Sequence, residues 1–192
     1  MSPARILWER AVAGDPDAFG EFYERHADRV FAHCSARGAV RADAEDLTAE
    51  VFTIAWRRRS AIQLHDEADI LPWLLVTANN LLSEHRRSSA RIWRLAGRLP
   101  VADEPDVAIE IADRDEFDRE RVRALDTLRA LRPADREVIE LCVMHGLSAA
   151  AVAAATGRPA STVRTRLARA LTRARAIYGE TPTSPETIAR TG

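Results

Sequence analysis

Apolar residues recur at helical spacing along most of the chain, and no stretch alternates with the two-residue period of a half-buried strand. Glycine and proline interrupt this pattern near residues 14–16, 38, 146 and 157–159, where helices commonly begin or end. The predicted fold class is therefore all-α. Before residue 132 the pattern predicts helices over Ile6–Ala13, Asp17–Ala36, Arg41–Ser60, Leu71–Ser88 and Asp118–Leu131.

Three further short helices are predicted toward the carboxyl end. The first begins at Pro133, whose fixed φ suits an opening helical turn, and ends at Gly146. The second spans Ala149–Thr156, with Ser148 as a candidate N-cap, and the third spans Ala160–Tyr178. The apolar stripe predicted for the first of them contains Val138, Ile139, Leu141, Cys142 and Val143.

The last of these helices has distinct faces on a helical wheel of about 3.6 residues per turn. Residues 157–178 hold six arginines and no acid. A polar front that reaches base edges, with arginine flanks that meet phosphates, suits the major groove of DNA, and the preceding helix and glycine turn complete a helix-turn-helix. A solvated basic face is the alternative. The packing face contains Val163, Leu167, Ala170, Leu171 and Ala174; the front contains Thr162, Thr165 and Arg169; the flanks contain Arg166 and Arg173 on one side and Arg164 and Arg175 on the other.

Composition excludes several classes of protein. The chain has 192 residues, 46% hydrophobic and 30% charged, as expected of a soluble globular protein, and its expected location is the cytoplasm. No apolar run is long enough to insert into a membrane, and charges interrupt the amino-terminal segment where a secretory signal would be apolar. Cys34 and Cys142 have no ligand-like neighbours, so we expect neither a disulfide scaffold nor a zinc site. With no nucleophile–base pair and no phosphate-binding loop, we expect no cofactor and no enzymatic activity.

The net charge of −1 conceals a strong asymmetry along the chain. Residues 101–120 contain nine acids and two arginines, together with a proline, and this composition is typical of a linker. The sequence therefore predicts two small helical domains, 1–90 and 118–178, joined by an acidic linker over 91–117. Residues 179–192 are predicted to form a flexible tail.

The segment Asp43–Trp56 is predicted to form an amphipathic helix with an acidic face. Asp43 is a candidate N-cap, while Asp46 and Glu50 are stacked one turn apart and repel each other slightly. A partner surface that carries arginine would remove this cost, although the spacing alone favours a simple solvated face. The packing side contains Ala44, Leu47, Val51, Ile54 and Ala55.

The helix that begins at Leu71 contains two asparagines, which are poor helix formers, in its middle. This pair lies near basic residues and follows the polar loop Gln63–Ile70, so it could contact unstacked bases and phosphates. Polar surface without a function is about as well supported by these residues taken alone. The residues concerned are Asn79, Asn80, His85, Arg86 and Arg87.

Four motifs, in this order, resemble the extracytoplasmic-function sigma factors of bacterial RNA polymerase. The resemblance covers about residues 9–178 and implies binding to the polymerase core and to promoter DNA, with control by an anti-sigma factor. The motifs are D-x-x-A-F-x-x-F-Y-x-x-H at Asp15–His26, D-A-E-D-L-T-x-E-V-F-x-x-A-W at Asp43–Trp56, W-L-x-x-x-A-x-N with E-x-x-R at Trp73–Arg87, and L-x-P-x-x-R-E-V-I-x-L, G-L-S and T-V-R-x-R-L-x-R-A at Leu131–Ala170.

The resemblance implies three groups of binding residues. It implies that the acidic helix docks on the polymerase, that the polar loop captures a flipped base of the −10 element, and that the last helix binds the −35 element. The core-binding group is Asp43, Asp46, Leu47, Glu50 and Phe52; the −10 group is His65, Asp66, Asn79, Asn80, Arg86 and Arg87; the −35 group is Thr162, Arg164, Thr165, Arg166, Arg169 and Arg173.

Two other interpretations of the residues remain open. A stand-alone DNA-binding regulator would use residues 1–100 for sensing or dimerisation and would bind an operator as a dimer without polymerase. A helical adaptor would use the basic face to bind an acidic protein and would show no dependence on DNA.

Overall fold

The structure is a computed structural model that describes residues 3–62, 70–95 and 116–180. All regular structure in these ranges is helical, which confirms the predicted fold class. The chain divides into two compact units, of which the first takes the described residues 3–62, 70–95 and 150–158 and the second takes 116–149 and 159–180. Most of the predicted linker and the tail beyond residue 180 lie outside the described residues.

The helices agree with the predicted ones to within a few residues at most ends. The clear difference is the fourth helix, which continues seven residues beyond Ser88 into the predicted linker, because no glycine or proline occurs before Gly97. The helices are α1 (Pro3–Val12), α2 (Pro16–Ala36), α3 (Arg41–Arg58), α4 (Leu71–Leu95), α5 (Glu116–Ala130), α6 (Pro133–Ile139), α7 (Ala149–Thr156) and α8 (Ala160–Glu180), with a π-helical segment (Glu140–Met144) after α6.

In the first unit, α2 packs against α1, α3 and α4. An aromatic cluster lies where α1, α2 and α3 meet: the ring of Phe22 is 5.2 Å from that of Trp8 and 5.7 Å from that of Phe52, measured between centroids. Tilted ring pairs at these separations are favourable beyond the area that they bury. This cluster holds α3 in place, and α3 carries the predicted acidic face.

The start of α2 is fixed by Asp15, the N-cap residue. Its Oδ1 accepts hydrogen bonds from the backbone N–H groups of Asp17 and Ala18, at 3.0 and 3.1 Å, and Pro16 occupies the first helical position. Its Oδ2 lies 2.7 Å from Nη2 of Arg10 on α1. The backbone N–H of Ala18 and the Arg10 guanidinium both favour the carboxylate and lower the pKa of Asp15 below its ordinary value of 3.8.

In the second unit, α5 and α6 pack against α8. The buried apolar side chains of α6 and its π-helical extension include Val138, Ile139 and Leu141, as predicted. Val143 was predicted to belong to the same stripe but is exposed, as is Met144. The wider π-helical turn, closed by the bond from His145 N to Glu140 O at 3.0 Å, alters the helical spacing and turns these two side chains outward.

Two glycines end helices in the way that the sequence predicts. Gly146 has φ +67° and Gly157 has φ +66°, a left-handed backbone that costs a residue with a Cβ more than it costs glycine. They follow the π-helical segment and α7. The order of α7, a glycine turn and α8 along the chain therefore agrees with the prediction.

Replacement of Asp15 by Asn should make the contribution of this N-cap independent of pH. Asn can still accept the backbone hydrogen bonds, but it lacks the charge that attracts Arg10. Because the folded pKa of Asp15 is lowered, its carboxylate stabilises the fold above pH 3.8, and this stabilisation is lost as the pH falls through the lower folded value. Urea unfolding should show the wild type more stable than Asp15→Asn at pH 6, with a difference that shrinks toward pH 3. A difference that stays constant with pH would contradict the assignment.

Candidate functional site

Helix α8 presents its polar residues as the wheel predicts. Val163 and Ala170, two turns apart, are buried, whereas Thr162, Thr165 and Arg169 are exposed. The helix begins where the backbone N–H groups of residues 162 and 163 donate to the carbonyl of Pro159, at 2.9 and 3.2 Å. The orientation of the predicted front and back of α8 is confirmed.

A groove with a volume of about 500 Å³ lies between the start of α6 and the exposed side of α8, and we call it the basic groove. It contains five of the six residues that were predicted to bind the −35 element. Arg164, the sixth, is exposed but does not line the groove. The residues that line the groove are Arg132, Ala134, Asp135, Ser161, Thr162, Thr165, Arg166, Arg169 and Arg173.

The arginines of the basic groove are not electrostatically equivalent. Nη2 of Arg173 lies 2.8 Å from Oδ2 of Asp135, an acid whose side chain is only 6% exposed. Within the described ranges, Arg166 and Arg169 have no such carboxylate partner. The structure therefore gives Arg173 an internal partner that the sequence pattern does not predict, and leaves Arg166 and Arg169 as the α8 arginines of the groove with uncompensated charge.

Two of the predicted core-binding residues cannot contact a partner directly in this conformation. Leu47 and Phe52 are 5% and 3% exposed and belong to the core of the first unit. The prediction that they dock on a partner surface is therefore corrected: they hold the helix rather than bind through it. Asp46 and Glu50 are exposed and form no ion pair within the described residues.

Asp43 is not the N-cap of α3. The helix begins at Arg41 after Val40, which makes no side-chain cap bond, so Asp43 is already inside the first turn. Its Oδ2 lies 3.3 Å from Nε2 of His85 on α4, and both side chains are partly exposed. Among the three predicted acids of this helix, Asp43 is thus the one that has an ionic partner within the described residues.

The two asparagines of α4 have opposite environments. Asn79 is buried, and its Oδ1 lies 2.7 Å from Nε2 of His33 on α2. This hydrogen bond satisfies polar groups that would be costly to bury alone. The prediction that Asn79 contacts DNA is therefore corrected, because it links two core helices. Asn80 is exposed and remains a candidate for contact with DNA.

The remaining predicted −10 residues divide into three cases. Arg86 is exposed, yet its Nη2 donates to the carbonyl of Arg37 at the end of α2, so it also serves the fold. Arg87 is exposed and donates to its own helix, from Nε to the carbonyl of Ser83 at 3.0 Å. His65 and Asp66 lie outside the described residues.

Neither cysteine has the environment of a reactive thiol. Cys34 is buried, and burial raises its pKa to about 11. Burial also raises the pKa of the partly exposed Cys142. Both therefore stay protonated near neutral pH. In the ranges that the structure describes, no group of three or more His, Cys, Asp or Glu side chains could hold a metal ion, and no helix there is long and apolar enough to cross a membrane.

Three residues have positions or partners that the sequence pattern does not predict. Arg132 lines the basic groove, Asp135 pairs with Arg173, and His33 pairs with Asn79. The buried Asp135 follows Pro133 in the first turn of α6, which is a favourable position for any acid and so gives no specific signal. His33 has the helical spacing of a core position, but spacing does not identify its partner 46 residues away.

Two family models match the chain in succession. The model described as Sigma-70 region 2 matches residues 22–92, which include α3, the buried Asn79 and the exposed Asn80. The model described as Sigma-70, region 4 matches residues 121–173, which include every residue of the basic groove. The two matches fall on the predicted first and second domains.

Known relatives agree with these models. The ECF RNA polymerase sigma factor SigK of Mycobacterium tuberculosis is 30% identical over 169 residues, covering 84% of this chain and 87% of SigK. The chain belongs to the extracytoplasmic-function family of RNA polymerase sigma factors. The ECF RNA polymerase sigma factor BldN of Streptomyces coelicolor is 34% identical over 166 residues. That match covers 86% of this chain and 62% of BldN, so the chain spans less than two thirds of this relative's length.

A solved structure shares the fold. The sigma factor RpoE of Bartonella quintana, in a co-crystal structure with the anti-sigma factor NepR, has a TM-score of 0.63 to this chain at 21% identity. The likeness covers 85% of this chain and 98% of the RpoE chain. It supports the same helical sigma-factor fold for this chain.

Replacement of Asn79 and Asn80 by Ala should separate the roles of the two asparagines. Asn79→Ala removes a buried hydrogen bond between α2 and α4, and we expect a loss of about 1–3 kcal/mol in the free energy of unfolding. Asn80→Ala removes an exposed amide and should change it by less than about 0.5 kcal/mol. Urea unfolding of the full chain measures both. Equal stabilities of the two variants would contradict the structural role given to Asn79.

Proposed function

We propose that this chain directs the core of RNA polymerase to promoters, binding the −35 element as duplex and the −10 element as melted DNA. The observation that carries the proposal is the basic groove, which lies within the part of the chain that matches Sigma-70 region 4. An arginine- and threonine-rich concave face beside an anchored helix is suited to duplex DNA. The function is binding and positioning, and the polymerase supplies the chemistry.

In the −35 contact, the front and the flanks of α8 have different tasks. Thr162, Thr165 and Arg169 are exposed on the face that would enter the major groove, where arginine recognises guanine and a threonine methyl can contact thymine. Arg164 and Arg166 lie on the flanks and would contact phosphates, which position the helix without reading sequence. Arg173 would contribute less charge, since Asp135 already compensates it.

Contact with the polymerase core would use the exposed acids of α3. Asp46 and Glu50 lie one turn apart and have no ion-pair partner in the described ranges, so each keeps its charge for a basic partner surface. Leu47 and Phe52 support this helix from the core, on its opposite side. Complementary charge at such an interface mainly gives specificity and a faster association rate.

The −10 contact would combine α4 with the polar loop before it. Asn80 and Arg87 are exposed on α4, and Arg86 is exposed there too while it donates to the end of α2. His65 and Asp66 would line the pocket for the flipped base, as the family resemblance implies. Extracting a base from the stack costs a few kcal/mol, which contacts in such a pocket must offset.

The proposal also includes regulation and location. An anti-sigma factor is expected to sequester the chain, as NepR is found with RpoE in the solved complex. The cytoplasm is the expected location, because the polymerase and the promoter are there. A dimeric regulator or an adaptor for acidic proteins would share the basic groove but would not need the acidic face of α3.

Replacement of Arg169 by Ala should weaken the reading of one −35 position. The promoter would first be selected from a randomised duplex pool with the reconstituted holoenzyme. We expect a loss of roughly 1–3 kcal/mol at the base pair that Arg169 contacts, with core binding intact. Arg175→Ala is the control, because Arg175 is exposed on the same helix but does not line the basic groove. If the two variants discriminated equally between base pairs at every −35 position, Arg169 would not be the residue that reads one of them.

Binding to the polymerase core should depend on the acids of α3. The full chain, mixed with core polymerase that lacks a sigma factor, should elute as a stoichiometric complex in gel filtration. The Asp46→Arg/Glu50→Arg variant should weaken this complex by at least about tenfold, because it places like charges against a basic surface.

The matched control is the Glu24→Arg/Asp28→Arg variant. These two acids are also exposed and one turn apart, but they lie on α2, so the variant changes the net charge by the same amount. An equal loss from both variants would indicate a general effect of charge. No complex of the wild type with the core would favour the stand-alone regulator.

A further inference from the structure

The basic groove contains one arginine that does not belong to α8. Arg132 is exposed at the junction of α5 and α6, and its side chain lines the groove opposite the α8 residues Thr162, Thr165 and Arg169. The groove is therefore basic on both of its walls. A duplex that accommodated α8 in its major groove would therefore also face positive charge from the α6 side.

The backbone of Arg132 is held in place while its side chain is left available. It lies between Leu131, which is buried, and Pro133, which begins α6, and its carbonyl accepts hydrogen bonds from Asp135 N at 2.9 Å and Arg136 N at 3.0 Å. Arg132 occupies the N-cap position of α6, yet its side chain makes no cap bond there. Because the backbone of Arg132 is already ordered, binding through this residue costs no further backbone entropy.

The charge of Arg132 is also uncompensated. Asp135 is the acid that lines the basic groove, and its carboxylate faces Arg173 at 2.8 Å. No carboxylate forms an ion pair with Arg132 in the part of the chain that the structure describes. Arg132 and Arg173 both line the basic groove. Arg173 is compensated by Asp135, whereas the charge of Arg132 is available to a ligand.

We propose that Arg132 contacts a backbone phosphate of duplex DNA, from outside α8 and separately from the phosphates that the α8 arginines contact. The inference rests on the proposed function and extends it by a residue on the other wall of the groove. The exposed threonine hydroxyls of the same groove suit phosphate oxygens and base edges, and this favours DNA over an acidic protein surface. Such a contact fixes the register of the duplex without reading its sequence.

The salt dependence of duplex binding tests this contact. Fluorescence anisotropy of the full chain with a labelled duplex of mixed sequence, from about 20 to 150 mM salt, gives the slope of log affinity against log salt. One lost phosphate contact should reduce the magnitude of this slope by about 0.9, which corresponds to roughly eightfold weaker binding near 0.1 M salt. We expect this reduction for Arg132→Ala, and for any sequence of the duplex. Arg121→Ala, which removes an exposed arginine of α5 outside the groove, should leave the slope unchanged.

Two further variants separate binding from structural effects. Arg132→Lys keeps a positive charge and should retain the wild-type slope, because a phosphate is neutralised by either cation. If the magnitude of the slope fell as much for Arg132→Lys as for Arg132→Ala, the residue would act through the fold and the inference would be overturned. A slope for Arg132→Ala equal to that for Arg121→Ala would also overturn it and would leave an acidic protein as the ligand of this wall.

The fate of the proposed function is read from Arg169→Ala by the same anisotropy measurement, with a labelled duplex that carries the selected −35 element. If Arg169→Ala weakens duplex binding and Arg132→Ala does not, the groove binds DNA and only the role of Arg132 fails. If the wild type binds no duplex at the lowest salt, either alone or with core polymerase, the proposed function itself fails, and the inference fails with it.

Discussion

The burial of one edge of α8 against its neighbours is the constraint on which the candidate DNA surface depends. Val163 and Ala170 fix the rotation of the helix about its axis, because exposing either would lose apolar burial. At its far end, Arg123 on α5 donates from Nη2 to the carbonyl of Tyr178 at 3.1 Å, and its guanidinium lies 4.5 Å from the centre of the tyrosine ring. With rotation and end both fixed, the threonines and arginines of the opposite side have one orientation.

The second organising factor is the pairing of polar groups within each unit. A buried polar group is costly unless it has a hydrogen-bond or ionic partner. Two of the residues that pair in this way are ones that the sequence predicts to bind DNA. Asn79 is hydrogen-bonded to His33, and Arg173 forms an ion pair with Asp135. What remains for binding is the set of exposed side chains without such a partner in the described ranges, including Asp46, Glu50, Asn80, Arg132 and Arg169.

Membership of the sigma-factor family gives this distribution of charge a consistent interpretation. The acidic face of α3 lies within the region 2 match, and the basic groove lies within the region 4 match. Opposite charges on separate parts of one chain would serve two partners, a basic polymerase surface and the DNA phosphates. In our proposal each contact is weak alone, and linking them raises the effective concentration of the second contact once the first has formed.

The sequence by itself determined the all-α class, the order of the helices and the faces of α8, because hydrophobic periodicity and glycine breaks are local properties of the chain. It also placed the acidic and basic segments, since charge is read directly from residue types. It could not separate Asn79 from Asn80, or Arg173 from Arg169, because within each pair the residues have the same chemistry, and the sequence does not show that Asn79 pairs with His33 or Arg173 with Asp135. Likewise, Arg132 became part of the candidate site only through the packing of α6 on α8. Contacts between residues far apart in sequence decide which polar groups are paired, and the tertiary structure alone sets them.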